Sequence, residues 1–371
     1  MPRLPVHGMH PLPVPHVLDL VTPANVQIEG YDITLAQGMI DATIDVPPAP
    51  GVFAETRTGR DLMGSVDLRV MGQRSDLQGA LRFAIHLGCM VATGALVWLS
   101  LPYWYLLVPA MLLHGATLVT MFAPMHECTH RTAFATPRLN EIVGWVAGVL
   151  SFYNATFYRY FHAWHHRYTQ DPVRDPELMF PRASTRLAYL REISTIGFWY
   201  RRVIDYGKLA FGTARLPFMP DHARRTIQRS VVIQLLIYLA AAMAVPIGFA
   251  APLYFFFLPS ILAMPLLRAY LITEHTLCSL DQNFLTNTRT TLAPFPIRLL
   301  MWNMPFHAEH HLFPAVPFHR LPALHDQIGA RFLYVAPSYV ATNREIWQAL
   351  QYERLDSLSL AVEGADQAKQ D

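Results

Sequence analysis

Four apolar stretches restrict this chain to few architectures. Phe83–Leu101, Tyr103–Met125 and Val231–Phe249 contain no Asp, Glu, Lys or Arg. Each reaches the roughly 20 residues a helix needs to cross a bilayer. The fourth, Pro252–Leu267, carries Pro259 and Pro265 and ends at Arg268. It continues as a helix to about Thr273, because proline is tolerated in spanning helices. The predicted spans are therefore 83–101, 103–125, 231–249 and 252–273. Composition agrees: 15% of the residues are charged, against about 25% for a soluble domain.

The connections suggest how the spans are arranged. Only Pro102 separates the first two, and only Ala250–Ala251 the last two. Both links are uncharged, so each pair reads as a hairpin that barely emerges on the far side. Between the hairpins, Pro124–Arg229 holds fifteen Lys and Arg. Positive charge marks the cytoplasmic side, which places this segment and both termini there. The expected fold is all-α and integral to the membrane: four transmembrane helices in two hairpins under a cytosolic helical cap. Residues 1–78 read as a proline-rich cytosolic extension, 79–335 as the membrane domain and 336–371 as a cytosolic tail. The opening residues MPRLPVHGMHPLPVPHVLDL are broken by proline and do not read as a secretory signal. Within the middle segment, Leu139 to about Tyr160 reads as an interfacial helix. Arg182–Arg229 is basic and suits either an anionic leaflet or a solvated face.

A net charge of +2, with no basic run interleaved with aromatics, argues against nucleic acid as a partner. Three cysteines make no disulfide framework. Cys128 reads as a small buried residue.

Three short clusters of histidine follow the spans: His126-Glu127-Cys128-Thr129-His130, His162-Ala163-Trp164-His165-His166 and His307-Ala308-Glu309-His310-His311. On a helix, residues three and four apart share a face, so each cluster loads one face with imidazole. The topology sets all three just beyond helix ends, on one side of the membrane. Imidazole suits iron, zinc and copper. A catalytic zinc takes three protein ligands, and eight clustered imidazoles exceed that. Two metals, each with four or five nitrogen ligands, account for them. His275 closes the fourth stretch at the same depth and adds a ninth. Neutral imidazoles do not offset two divalent charges, so carboxylates are expected nearby. Asp171, Asp175 and Glu177 follow the second cluster, and Glu127 and Glu309 lie within the others. Such acids accept the second ring N–H of a ligand histidine and set its tautomer. Asn303, four residues before His307, shares its predicted face and could hold a metal-bound water or cap the helix.

The HxxxH, HxxHH, HxxHH pattern with two apolar pairs resembles the membrane fatty acid desaturase superfamily, which includes hydroxylases and carotenoid oxygenases. Arg159–Thr169 with Asp171-Pro172 and Asp175-Pro176-Glu177 resembles that family's second box and acidic turn. Asn303–Pro314 resembles its third box, and the likeness spans roughly residues 80–335. It implies a non-haem di-iron centre on His126, His130, His162, His165, His166, His275, His307, His310 and His311. It also implies O2 as co-substrate, two electrons from an external donor, and oxidation of an unactivated C–H bond in a fatty acyl or other lipid-like chain. Desaturation yields an alkene; hydroxylation of a lipid, carotenoid or smaller amphipathic substrate yields an alcohol. The first box departs from many desaturases in having Glu second, which leaves hydroxylation open. No His-Pro-Gly-Gly haem signature is present, so the donor is expected to be separate, a ferredoxin or a cytochrome b5-like protein.

Two other classes read the same residues differently. His126-Glu127-Cys128-Thr129-His130 matches HExxH, in which two histidines bind zinc and Glu is the base of a protease. That leaves two clusters idle. A metal transporter would place ligands near the bilayer midplane, whereas these lie beyond the helix ends.

Overall fold

The computed structural model describes residues 66–179 and 182–350. Residues 1–65 of the expected extension, and the tail beyond 350, lie outside these.

Among the described residues the chain is mostly helical. The first helices are α1 (Leu68–Met71), α2 (Asp76–Ser100), α3 (Trp104–Val119), α4 (Phe122–Thr129), α5 (Pro137–Leu150) and α6 (Ala155–Tyr168). Next come α7 (Arg186–Ile193), α8 (Ile196–Ala210), α9 (Asp221–Ala244) and α10 (Leu258–Leu271). Last are α11 (Phe295–Leu300), α12 (His307–Leu312) and α13 (Leu321–Ile328), and residues 339–350 are also helical. The one sheet among the described residues is minimal: β1 (Thr290–Thr291) pairs in parallel with β2 (Val335–Ala336).

Among the described residues, four helical segments are long and apolar enough to cross a membrane: Asp76–Ser100, Trp104–Thr129, Asp221–Ala244 and Leu253–Leu271. The first and third begin earlier than their apolar runs, because polar residues supply their opening turns. Ser75 caps α2 by accepting from Gln78 N at 3.3 Å. Asp76, in the same turn, accepts from Thr136 N and Oγ1 and so anchors α2 to the start of α5. The second segment turns at Thr120–Met121 between α3 and α4. The fourth opens with a π-helical turn, Leu253–Phe257. His114 of α3 bonds to the Phe255 carbonyl there at 3.0 Å.

α3 packs along α10 and against α2. The α3–α10 approach requires a glycine: a Cβ on Gly115 would lie 2.0 Å from the Pro259 carbonyl oxygen. Two buried histidines on these helices are already occupied. His86 Nε2 reaches Thr117 O at 2.9 Å, and its Nδ1 accepts from Trp302. His114 Nδ1 meets Thr93 Oγ1 at 3.0 Å.

The expected continuous helix over 139–160 is instead two. The chain breaks at residues 151–154, where Phe152 takes a left-handed φ of 62°. Asn154 then caps α6 through Phe157 N at 2.9 Å. Its amide also donates to Ser230 and Gln234 of α9. The break thus fixes the helix of the second box against a candidate span. The core gathers behind the boxes. Met121, Phe122, Met125, Trp302, Met304 and Phe318 pack behind the first, and Phe306, Phe313, Leu321 and Leu324 behind the third. Val66 and Met71 join the latter cluster, so the stretch just before α2 is packed against the third box. At the other end, Ile346 and Leu350 pack on Tyr189 of α7.

Candidate metal centre

Helices α4, α6 and α12, with the segment after α10, bring all nine sequence-identified histidines together. His126 lies on α4 and His130 ends it. His162, His165 and His166 lie on α6; His307, His310 and His311 lie on α12. Seven are buried, and His130 and His166 are partly covered.

They form two groups, and the division cuts through the boxes. His126, His130, His162, His166 and His310 converge in one. His165, His275 and His311 converge in the other. His307 completes that second group, with Nε2 at 3.3 Å from His275 Nε2 and 3.1 Å from His311 Nε2. Helical geometry explains the split. Residues i and i+4 differ by about 40° around the axis, whereas i and i+3 differ by about 60° in the opposite sense. The i,i+4 pairs 126/130, 162/166 and 307/311 therefore stay together. His165 and His310 each turn to the other group.

The nitrogens lie at spacings that a shared metal ion would require. Neighbouring Nε2 atoms lie 2.9 Å apart for His162 and His166, 3.1 Å for His166 and His310, and 3.3 Å for His165 and His275. Imidazole binds zinc at about 2.0–2.1 Å, a bond length that places adjacent ligand nitrogens about 3 Å apart. Among the described residues, both ring nitrogens of His126 and Nε2 of His130 are buried with no hydrogen-bond partner. Buried polar atoms are normally satisfied, and a cation would satisfy these.

Electrostatics holds most of the rings in the form a metal needs. Burial, reinforced by His165, pulls His130 down to about 3. Burial and neighbouring imidazoles hold His162, His166, His275, His307, His310 and His311 well below the ordinary imidazole value. Neutral imidazole is the ligating species. His165 goes the other way. Burial opposes its charge, but the Glu177 and Asp175 carboxylates outweigh burial and raise it.

Around these rings lies a set of partners for the second nitrogen. Asp175 accepts from His165 Nδ1 at 2.9 Å and is itself held by Gln170 N and Glu177 N. Glu177 Oε1 lies 3.8 Å from His165 Nε2. Sequence reasoning missed the rest of the set. Tyr158 Oη meets His162 Nδ1 at 3.3 Å, and Thr169 Oγ1 meets His311 Nδ1 at 3.2 Å. The Asn287 carbonyl meets His275 Nδ1 at 3.2 Å, and Glu274 Oε1 lies 3.5 Å from His307 Nδ1. Burial, with Glu177 nearby, raises the Glu274 carboxyl well above the usual range. Gln170, left-handed at φ 67°, donates to the His275 carbonyl at 2.8 Å. Of these, Glu274 and Tyr158 carried a local signal, adjacency to His275 and the i,i+4 position before His162.

Four residues expected near the metal are placed elsewhere. Asp171 ties its own loop, accepting from Val173 N and Arg174 N at 3.0 Å each, and from the Arg174 guanidinium. Glu309 is fully buried, but its oxygens go to Thr290 and to His325 Nδ1, on the side of α12 away from the rings it was expected to serve. Asn303 does not share a helical face with His307, because α12 begins only at His307. Trp302 and Asn303 are left-handed, at φ 48° and 58°, and the Asn303 amide donates to Phe318 O at 3.0 Å. Glu127, the base in the HExxH reading, also turns away: its Oε1 accepts from Phe318 N at 3.0 Å.

The Asp175 contact makes a graded prediction. Asp175→Asn keeps the side-chain size but weakens the acceptor for His165 Nδ1. Metal affinity or turnover is expected to fall about 10–100-fold. Metal content per chain and kcat, measured on the same preparation, check it.

Comparison with known proteins bears on this arrangement. The profile described as fatty acid desaturase matches residues 72–343. An sn-1 oleoyl-lipid 12-desaturase of Picosynechococcus is 24% identical over 64% of this chain and 73% of its own length. A sphingolipid delta(4)-desaturase of Drosophila melanogaster is 27% identical over 70% of this chain and 78% of its own. A human sphingolipid delta(4)-desaturase/C4-monooxygenase is 24% identical over 70% of this chain and 75% of its own.

Proposed function

This chain belongs to the fatty acid desaturase family and is an oxidoreductase, and from that premise we propose that it is a membrane di-iron oxidase that desaturates a fatty acyl or other lipid-like chain. The observation that carries the reading is the partition of nine clustered imidazoles into groups of five and four, each with nitrogens at ligand spacing. His126, His130, His162, His166 and His310 would hold one iron. His165, His275, His307 and His311 would hold the other. The irons supply the O2 chemistry that an unactivated C–H bond requires.

The chain's own residues orient and insulate that centre. Asp175, Thr169, Tyr158 and the Asn287 carbonyl face second ring nitrogens and fix which nitrogen ligates. The Asp175 carboxylate, held in its charged form by His165, offsets part of the cationic charge that neutral rings leave uncompensated. Burial of the rings keeps bulk water from consuming the oxidant. The balance of desaturation is two hydrogens from substrate, two external electrons and two protons, with O2 leaving as two waters. The electrons would come from a ferredoxin or a cytochrome b5-like protein.

A hydroxylase reading has one specific support: the name of the human relative pairs desaturase with C4-monooxygenase activity. Product mass separates the two readings. Lipid analysis of cells with and without the protein is expected to show a species lighter by two hydrogens. A species heavier by one oxygen would assign the hydroxylase, and an unchanged lipid profile would sink both.

The four candidate spans form two hairpins in this proposal, with the boxes and both termini in the cytoplasm. The fifteen cationic residues of Pro124–Arg229 support that orientation. A tag at either terminus is expected to react with a cytosolic probe in intact cells. Protection of one terminus would break the four-span arrangement.

A further inference from the structure

Away from the histidine groups, a cavity of about 280 Å³ opens where α8 passes into α9. Its buried floor is Leu209 and Met219, and its walls carry Arg215, Arg224, Arg225 and Gln228. Gly212, at φ 69°, makes the turn against the Gln228 amide, where a Cβ would come within 3.2 Å. Gln228 in turn donates to the Ala210 carbonyl at 2.9 Å, pinning the turn to α9.

The lining is cationic. Arg215 is braced on the Gly212 and Ala214 carbonyls at 2.8 and 3.1 Å. Arg224 pairs with Asp221 at 3.0 Å, and its Nε is buried without a partner among the described residues. Three guanidinium groups against the one Asp221 carboxylate leave the cavity at +2 (3 − 1). Guanidinium forks match phosphate oxygens in bidentate geometry.

Position decides which phosphate. Asp221, Arg224, Arg225 and Arg229 occupy the polar opening turns of α9, and an apolar run starts at Val231. Phe211, next to Gly212, is 83% exposed. The cavity therefore sits where a candidate span changes from charged to apolar, the level of bilayer headgroups. Basic residues at such a boundary attract anionic lipids.

We propose that this cavity binds the phosphate of an anionic membrane lipid, held chiefly by Arg224 and Arg225. Asp221 moderates the site by occupying one edge of Arg224. The proposal rests on α9 crossing the membrane. Release of the chain from membranes by alkaline carbonate would sink that premise, separately from anything measured on lipid selectivity.

The test uses the full-length protein reconstituted with equal amounts of phosphatidylglycerol and phosphatidylcholine, with retained lipid read by native mass spectrometry. The wild type is expected to retain phosphatidylglycerol preferentially. Arg224→Gln with Arg225→Gln should lower that retention roughly tenfold or more. Asp221→Asn, which frees Arg224, should raise it. Unchanged metal content in both variants shows that the fold is intact. Equal retention of the two lipids by the wild type overturns the proposal. So does undiminished phosphatidylglycerol in the double variant. Retention of inorganic phosphate that depends on Arg224 and Arg225, with no preference for phosphatidylglycerol, would assign the cavity to free phosphate and overturn the lipid reading.

Discussion

Replacing His165 or His310 with alanine is expected to abolish turnover while leaving the protein in the membrane. Each side chain serves a different group. His310 Nε2 lies 3.1 Å from His166 Nε2 in the five-membered set, and His165 Nε2 lies 3.3 Å from His275 Nε2 in the other. Losing a partner that merely orients a ligand costs up to about 100-fold, so losing a ligand should cost at least ~100-fold. Iron per chain should fall in both variants, because a shell with one nitrogen missing binds more weakly. Neither residue lies on a candidate span, so insertion should be unaffected. Iron content and turnover of the two purified variants check this. Normal turnover in either would refute the di-iron reading. Chelation of the wild type should mimic both variants, and added iron should restore only the wild type.

Gly115→Val is expected to be the most damaging change outside the metal centre. The side chain would point at backbone: the Pro259 carbonyl carbon and oxygen lie 2.6 and 2.0 Å from the built Cβ, with Ala263 Cβ at 2.7 Å. No rotamer of a neighbour relieves such a contact, so α3 and α10 must separate. The cost should exceed the roughly 1–3 kcal/mol of ordinary overpacking. It should also reach the metal centre, since α3 leads into His126 and α10 leads into His275. Gly88→Ala supplies the contrast, because a Cβ there meets nothing within 4 Å. Alanine in the middle of α2 should be neutral or stabilising, as glycine is the poorer helix former. Thermal unfolding and the yield of monodisperse protein in detergent distinguish the two. Equal behaviour of both variants would mean the helices slide apart at little cost.

Much of the fold was legible locally. Runs without charge mark where helices long enough to cross a bilayer lie, because an unpaired charge in hydrocarbon is costly. Local reasoning failed where a side chain ended a helix. Asn154 reads as a polar interruption in a long apolar helix, yet it caps a new one and ties it to Ser230 and Gln234. Asn303 falls off its predicted face for a related reason: the helix that would define that face begins only at His307.

The sequence by itself singled out the nine histidines that the fold brings together. Three boxes of histidine at helical spacing, and His275 at the end of an apolar run, are local patterns that ordinary core packing does not require. Only the tertiary structure decided how the nine divide. His165 meets His275, 110 residues away, and His166 meets His310, 144 residues away. A rotation of about 60° around a helix axis is enough to send one ring of a box to a different centre from its neighbours. The same packing chose Asp175 and Glu274 as neighbours of the clustered rings while Asp171 and Glu309 went to Arg174 and His325. Spacing along a chain fixes a direction around one helix, but which ring or carboxylate stands opposite depends on a second helix that spacing does not locate.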